Sequence, residues 1–208
     1  MKIASEGLVY FLPPIGMGIL FLVWNLFLPG FLFFILALFI IFFFRNPDRD
    51  VPQDEKLILS PADGKIVLIG PSPEEEKAKG RNQMVSIFLS LFDVHVNRSP
   101  MKGKITKHKY VPGRFLPAYK HEASKVNEMN IVEIKNGKNT IKLHQIAGVI
   151  ARRVVLWKKT GDVVSLGERL GIMKFGSRID LFLPDNVLIK AKEGQRVKGG
   201  ISIIGVLQ

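Results

Sequence analysis

Gly161-Asp162-Val163-Val164-Ser165-Leu166-Gly167 and, 33 residues later, Gly194-Gln195-Arg196-Val197-Lys198-Gly199-Gly200 decide the fold. Glycines recur at both ends, Val164 and Val197 take the same place, and Leu170 and Ile203 extend the match as apolar positions. Glycine at a turn with an apolar residue behind it is strand-turn-strand punctuation, because glycine reaches positive φ without steric cost. Two such units suit a small folded sandwich of short strands. Lys174-Phe175-Gly176-Ser177-Arg178 lies between them, in the connection or on the strand that joins them.

Working back toward the N-terminus, Lys65 to Ile69, Met84 to Leu89, Ile131 to Ile134, Thr140 to Leu143, Val149 to Trp157 and Arg178 to Leu183 are rich in β-branched and aromatic residues. Each is bounded by Gly, Pro, Asp or Asn, so each predicts a strand. Asn136-Gly137 predicts a tight hairpin turn. Pro71 to Gly80, with Glu74, Glu75 and Glu76, reads as an exposed loop or a short helix. No long helical period appears after Pro52. The soluble part, 46–208, is therefore expected to be mainly β within an α+β chain.

Leu8 to Phe44 carries no charged side chain. As one helix it would be about 55 Å long against a hydrocarbon core of about 30 Å, so it is expected to fold back as a membrane-anchoring helical hairpin over 1–45. Pro29-Gly30 is the expected bend, and Pro13-Pro14 is expected to kink or delay the first helix. Each arm is short for a span, so a re-entrant or interfacial hairpin stays open. Lys2, Arg45 and Arg49 flank the segment while Trp24 to Gly30 has no cation, which puts both ends in the cytoplasm.

The formal charge of +12 falls entirely after position 50. Scattered through strand-like segments without an aromatic platform, these cations do not predict nucleic-acid binding. Beside an anchor they predict an anionic phospholipid surface, each nearby Lys or Arg adding about 1 kcal/mol. The absence of cysteine rules out disulfides, thiolate chemistry and Cys-ligated metal, and no metal site is expected.

Gly176-Ser177 is a common turn dipeptide, and it can also be a self-cleavage site. Attack of the serine hydroxyl on the glycine carbonyl, then β-elimination and hydrolysis, would leave a pyruvoyl group on the downstream fragment. Such a serine needs a base and a group to orient it. His95 lies in Phe92-Asp93-Val94-His95-Val96-Asn97-Arg98, immediately after the apolar run Val85 to Leu91, and a strand end is a good place to aim a side chain. His108 sits among lysines, and His121 and His144 flank polar segments. Asp63, in the turn Ser60-Pro61-Ala62-Asp63-Gly64-Lys65, is the candidate acid, although Asp-Gly also favours turns for conformational reasons.

In this order, Pro-Ala-Asp-Gly, Asp-Val-His, Val111-Pro112-Gly113 and a late Gly-Ser resemble the phosphatidylserine decarboxylases, in particular the smaller class that reads Phe-Gly-Ser-Arg. The resemblance runs from Phe44-Arg45-Asn46-Pro47 to the C-terminus. It implies a C-terminal region of the lipoyl or biotinyl hybrid type, autocatalytic cleavage between Gly176 and Ser177, and a β chain 1–176 with an α chain 177–208 capped by a covalent pyruvoyl cofactor. It further implies Asp63, His95 and Ser177 as the catalytic triad, with His95 the proton acceptor. Phosphatidylserine would be converted to phosphatidylethanolamine and carbon dioxide at the cytoplasmic face of the cell membrane. Longer members carry a second histidine where this chain has Arg98, and Arg98, His121, His144 or water could take that role. Arg152 or Arg153 could meet the anionic substrate; neighbours on a strand face opposite sides, so at most one would.

Three alternatives stand beside this reading. A membrane-anchored hybrid-motif adaptor would need no chemistry, and the lipid could be another phosphoserine lipid such as archaetidylserine. A serine hydrolase would call for a Gly-x-Ser-x-Gly elbow, which is absent around Ser177. A homo-oligomer is compatible with all of them.

Overall fold

The computed structural model describes residues 2–120, 122–149, 154–174 and 176–208, which form two compact units, one ending at Asp48 and the other beginning at Arg49.

The first unit contains strand β1 (Lys2–Ile3), helices α1 (Leu8–Val23) and α2 (Phe27–Phe43), and strand β2 (Arg45–Asn46), which pairs with β1. The helical stretch Ser5–Val23 is long and apolar enough to cross a membrane, and only 17% of its apolar window is buried; α2 is shorter. This supports association with a membrane. The bend lies at Trp24 to Leu26, with Asn25 at φ +58°, and not at Pro29-Gly30 as the sequence suggested. Pro29 falls in the first turn of α2, where a missing N–H costs nothing. Gly30 serves the crossing of the helices instead: a Cβ there would stand 3.1 Å from Leu22 and 3.2 Å from the Gly18 carbonyl. The pair Pro13-Pro14 does not delay α1, which begins at Leu8 and runs through them.

The second unit is built of β3 (Leu57–Leu59), β4 (Gly64–Pro71), α3 (Glu74–Lys77), β5 (Gln83–Leu89), β6 (Val96–Arg98), β7 (Gly103–Val111), α4 (Ala123–Val126), β8 (Met129–Asn136) and β9 (Asn139–Ala147). It continues with β10 (Val154–Leu156), β11 (Val163–Val164), β12 (Arg169–Met173), β13 (Ser177–Leu183), β14 (Val187–Ile189), β15 (Arg196–Val197) and β16 (Ile203–Leu207). Eight strands form an antiparallel sheet in the order β11-β7-β8-β9-β13-β5-β4-β15, curled into a half-barrel. Two three-stranded ribbons, β10-β12-β6 and β14-β16-β3, accompany it. The predicted strand Val149 to Trp157 appears as β10 alone, since 150–153 lie outside the described residues.

That strand order is one four-strand set written twice. The glycine repeat supplies the two edges: Gly161 N–H donates to Ile105 O at 2.8 Å, and Gly194 N–H to Ile66 O at 2.9 Å. Gly167 N–H reaches Ser99 O and Gly200 N–H reaches Ser60 O, at 2.9 and 2.8 Å. A second repeat answers the first, because Ser60-Pro61-Ala62-Asp63-Gly64-Lys65-Ile66 matches Ser99-Pro100-Met101-Lys102-Gly103-Lys104-Ile105. Ser60 and Ser99 each fold a hydroxyl onto the carbonyl two residues on, at 2.6 Å. Beyond Gly200 the second copy has one extra residue. Leu170 therefore corresponds to buried Ile204 and not to Ile203, which is 41% exposed.

Side chains alternate along β13. Ile179, Leu181 and Leu183 enter the core with Ile66, Ile87, Ile105, Ile134 and Leu143, while Arg178, Asp180 and Phe182 face the other side. There the Glu74–Lys77 turn carries buried Glu76, which accepts from Arg81 Nε at 2.7 Å and pairs with Lys142. His144 stands cross-strand from Asp180 with its ring 4.7 Å from that of Phe182. Burial, reinforced by the Lys142 ammonium, lowers its pKa to about 3.

A ring kept neutral in the fold but titrating near 6.5 when unfolded contributes stability that is whole above pH 6.5 and declines as pH falls toward 3. The slope is about 1.4 kcal/mol per pH unit. Glu76 adds to this loss only below pH 4.5, since Lys142 and Arg81 outweigh the burial that would otherwise raise its pKa. His144→Leu is expected to flatten stability between pH 6.5 and 5, read from denaturant midpoints at a series of pH values.

Candidate active site

Ser177 opens β13 directly after Gly176, whose φ is +66°. It pairs with Leu89 of β5 and Ala147 of β9, so its side chain points inward with Ile179 and Leu181. The residue is fully buried, and its hydroxyl has no hydrogen-bond partner among the described residues. An unsatisfied buried hydroxyl costs about 1–3 kcal/mol, so its presence in a packed strand calls for a role.

His95 reaches the same place from a tight turn. Asp93 Oδ2 accepts from Ser90 N–H at 2.8 Å and from Ser90 Oγ at 2.7 Å, which closes Ser90 to Asp93 and leads the chain into β6. His95 is fully buried, and its Nδ1 lies 2.9 Å from the Asp93 carbonyl oxygen. A carbonyl only accepts, so Nδ1 carries the proton and Nε2 is left as the acceptor. Nε2 takes the Gly176 N–H at 3.4 Å, a long contact that sets the ring at the residue before Ser177. Met173 N–H also donates to His95 O at 3.1 Å, tying β12 to β6 just before the Gly-Ser pair.

Asp63 sits elsewhere in the bonding pattern. Its two oxygens take Arg49 Nη1 and Nη2, each at 2.8 Å, and Oδ1 also accepts Gly199 N–H at 2.8 Å. Arg49 Nη1 donates to Gly199 O as well, so the acid and the arginine together clasp the Gly199-Gly200 turn. The structure thus sets His95 against Gly176, the residue before Ser177, and gives the orienting bond on His95 to the Asp93 carbonyl. Asp63 was expected to make that bond. A bidentate guanidinium beside Asp63 satisfies the carboxylate more fully than one imidazole N–H would.

Of the other residues singled out, Arg98 is buried and donates to Gly167 O at 3.0 Å. His108 meets Asn130 Oδ1 at 3.2 Å through Nε2. His144 lies on the face of the sheet opposite Ser177. Phe175, His121, Arg152 and Arg153 lie outside the described residues.

Three further features were not drawn from the sequence. Gly148 approaches the Gly176 carbonyl so closely that a Cβ on it would fall 2.1 Å from that oxygen. Asn97 and Gln145 hydrogen-bond at 2.8 Å, while Asn97 Nδ2 and Gln145 Oε1 stay buried without partners among the described residues. On the outer face Arg178 Nε pairs with Asp180 Oδ1 at 2.9 Å, and Ser86 and Ser124 hydroxyls donate to the same carboxylate at 2.6 and 3.1 Å. Arg178 Nη1 donates to Ala118 O and Lys120 O, each at 3.2 Å, so the residue after Ser177 straps the 118–120 segment down. Two charged residues alternating with apolar ones in Ser177 to Leu183 were the available signal for this clamp.

Residues 36–205 match the protein-family model described as phosphatidylserine decarboxylase. The chain is 48% identical over 177 residues to the phosphatidylserine decarboxylase proenzyme of Carboxydothermus hydrogenoformans, covering 85% of this chain and 83% of that one. It is 47% identical over 171 residues to the proenzyme of Syntrophus aciditrophicus, covering 81% and 80%. With that of Solibacter usitatus it shares 45% over 208 residues, covering 98% and 96%.

Gly148→Ala is expected to push the Gly176 carbonyl out of place and slow any splitting of the chain there on the order of 10²-fold. Gel analysis of freshly translated protein over time checks this; wild-type rates in the variant would show that the close approach has no bearing on the site.

Proposed function

The chain belongs to the phosphatidylserine decarboxylase family, and from that membership we propose that it cleaves itself between Gly176 and Ser177 and then converts phosphatidylserine to phosphatidylethanolamine and carbon dioxide. The observation that supports this most directly is the buried Ser177 hydroxyl, without a hydrogen-bond partner among the described residues, directly after Gly176, whose N–H reaches His95 Nε2.

In this reading Ser177 Oγ attacks the Gly176 carbonyl carbon while His95 Nε2, giving up its long contact with the Gly176 N–H, takes its proton. The C–N bond breaks, the proton passes to the freed amine, and an ester joins the two residues. Removal of the Ser177 α-proton expels the Gly176 carboxylate, and water displaces ammonia to leave a ketone on the 177–208 chain. The buried serine, with no competing hydrogen bond to its oxygen among the described residues, fits a group made from its own atoms. That pyruvoyl group supplies the electron sink for loss of carbon dioxide from an amino acid headgroup.

The other roles fall to the chain's own side chains. The Asp93 carbonyl holds the His95 ring in the tautomer that can accept a proton. Asp63 acts as a positioning residue through Arg49 and the Gly199-Gly200 turn. Asn97 Nδ2 and Gln145 Oε1 offer the headgroup a donor and an acceptor. The α chain keeps its place in the sheet through β13, and the cations flanking the helical hairpin support a cytoplasmic location for the reaction.

Intact-mass spectrometry with and without borohydride and phosphatidylserine tests the reading. Two fragments meeting at Gly176 and Ser177 are expected, the smaller bearing a keto group and trapping the lipid on reduction. Ser177→Ala should remain one chain, and His95→Ala should split at least 10²-fold more slowly. A folded wild-type protein that stays whole would overturn the proposal.

A further inference from the structure

Beside Gly176 the surface opens into an apolar hollow of about 140 Å³, lined by Phe88, Leu91, Pro117, Tyr119 and Val149. Large apolar side chains stand exposed around it. Tyr119 is 66% exposed, its ring 6.4 Å from that of Phe88; Val149 is 53% exposed, and Phe92, next to Leu91, is 68% exposed. Cations border the same mouth. Strand pairing places exposed Lys65 cross-strand from Phe88 and Arg196 cross-strand from Lys65, and exposed Lys120 follows Tyr119. The described contacts bring Asp93 among them, paired with Arg196 at 2.5 Å, and buried Asp180, paired with Arg178 at 2.9 Å.

Exposed aromatic and branched side chains gain nothing from water, whereas a bilayer interface accepts both amphipathic rings and the cations beside them. The hollow they surround ends at the peptide where a phospholipid headgroup is to react, so the inference rests on the function proposed above. We propose that this rim is a docking surface of the soluble unit for an anionic bilayer. Phe92, Tyr119 and Val149 enter the boundary between headgroups and acyl chains, and Lys65, Lys120 and Arg196 lie among the phosphates. The serine headgroup then reaches Ser177 while the glycerol backbone and acyl chains stay in the membrane, and the unit takes hold of the bilayer independently of the N-terminal helices.

The natural absence of cysteine makes the test direct. The full chain carrying Tyr119→Cys is labelled with an environment-sensitive fluorophore and bound to vesicles of phosphatidylglycerol and phosphatidylcholine, with Lys138→Cys in the β8–β9 turn as a second probe site. The probe at 119 is expected to shift to the blue and to be quenched by nitroxide-labelled lipids, more strongly as the phosphatidylglycerol content rises, while that at 138 stays aqueous. Adding Phe92→Asp should reduce the shift and raise KM for phosphatidylserine in vesicles about tenfold; splitting of the chain reports that this variant is folded. A probe at 119 that stays aqueous on protein floated with the vesicles overturns the proposal, as does a shift that depends on protein concentration without lipid, which would mark a contact between copies. A shift in a protein that decarboxylates no phosphatidylserine would sink the functional reading and leave the docking surface standing. Decarboxylation with an aqueous probe does the reverse.

Discussion

β13 is hydrogen-bonded on both sides, to β9 and to β5, and all of its residues from Ser177 to Leu183 are buried. Everything at the site follows from that double pairing. Register fixes which side chains face inward, and a slip of one residue would exchange Ser177 for Arg178. The inward set fills the core, and the outward set carries the clamp of Arg178 on Asp180 that holds Ala118 and Lys120 over the sheet. Removing either member of so buried a pair would strand the other, which gives the register an electrostatic guard as well as a hydrophobic one.

The duplication explains where the site lies. Taking β11, β7, β8 and β9 as one set and β15, β4, β5 and β13 as the other, the two meet at the β9–β13 pairing, and Ser177 faces Ala147 across that seam. The copies have diverged in charge. Asp63 of one corresponds to Lys102 of the other, and Asp63 binds Arg49 where Lys102 meets Glu55 at 2.7 Å on an exposed surface. Only one half of the repeat has acquired the buried clasp on the Gly199-Gly200 turn.

Much of this was legible in the residues. Glycine punctuation marked the sheet edges, β-branched runs marked β4, β5, β8, β9 and β13, and Asn136-Gly137 marked the β8–β9 hairpin. The approach of His95 to Gly176 was suggested by strand-end placement and by resemblance. What stayed hidden was set by contacts distant in sequence. Nothing near Asp63 signals that Arg49 will occupy both its oxygens, and nothing near Glu76 signals that Lys142 and Arg81 will bury it. The helical bend was misplaced because Pro-Gly marks a turn in water-soluble chains, yet proline in a first helical turn and glycine at a helix crossing are equally sound uses of the same pair.

A cut ahead of β13 falls at the edge of a strand held from both sides, and the downstream piece also supplies β14, β15 and β16. Before the break, the chain brings these strands to their partners as loops of a single polymer, at a high effective concentration. Afterwards the same assembly, once taken apart, would have to re-form by collision of two molecules. The mature protein would then be held together by contacts that its own covalent structure no longer helps to find, and its persistence becomes a matter of how slowly the sheet opens.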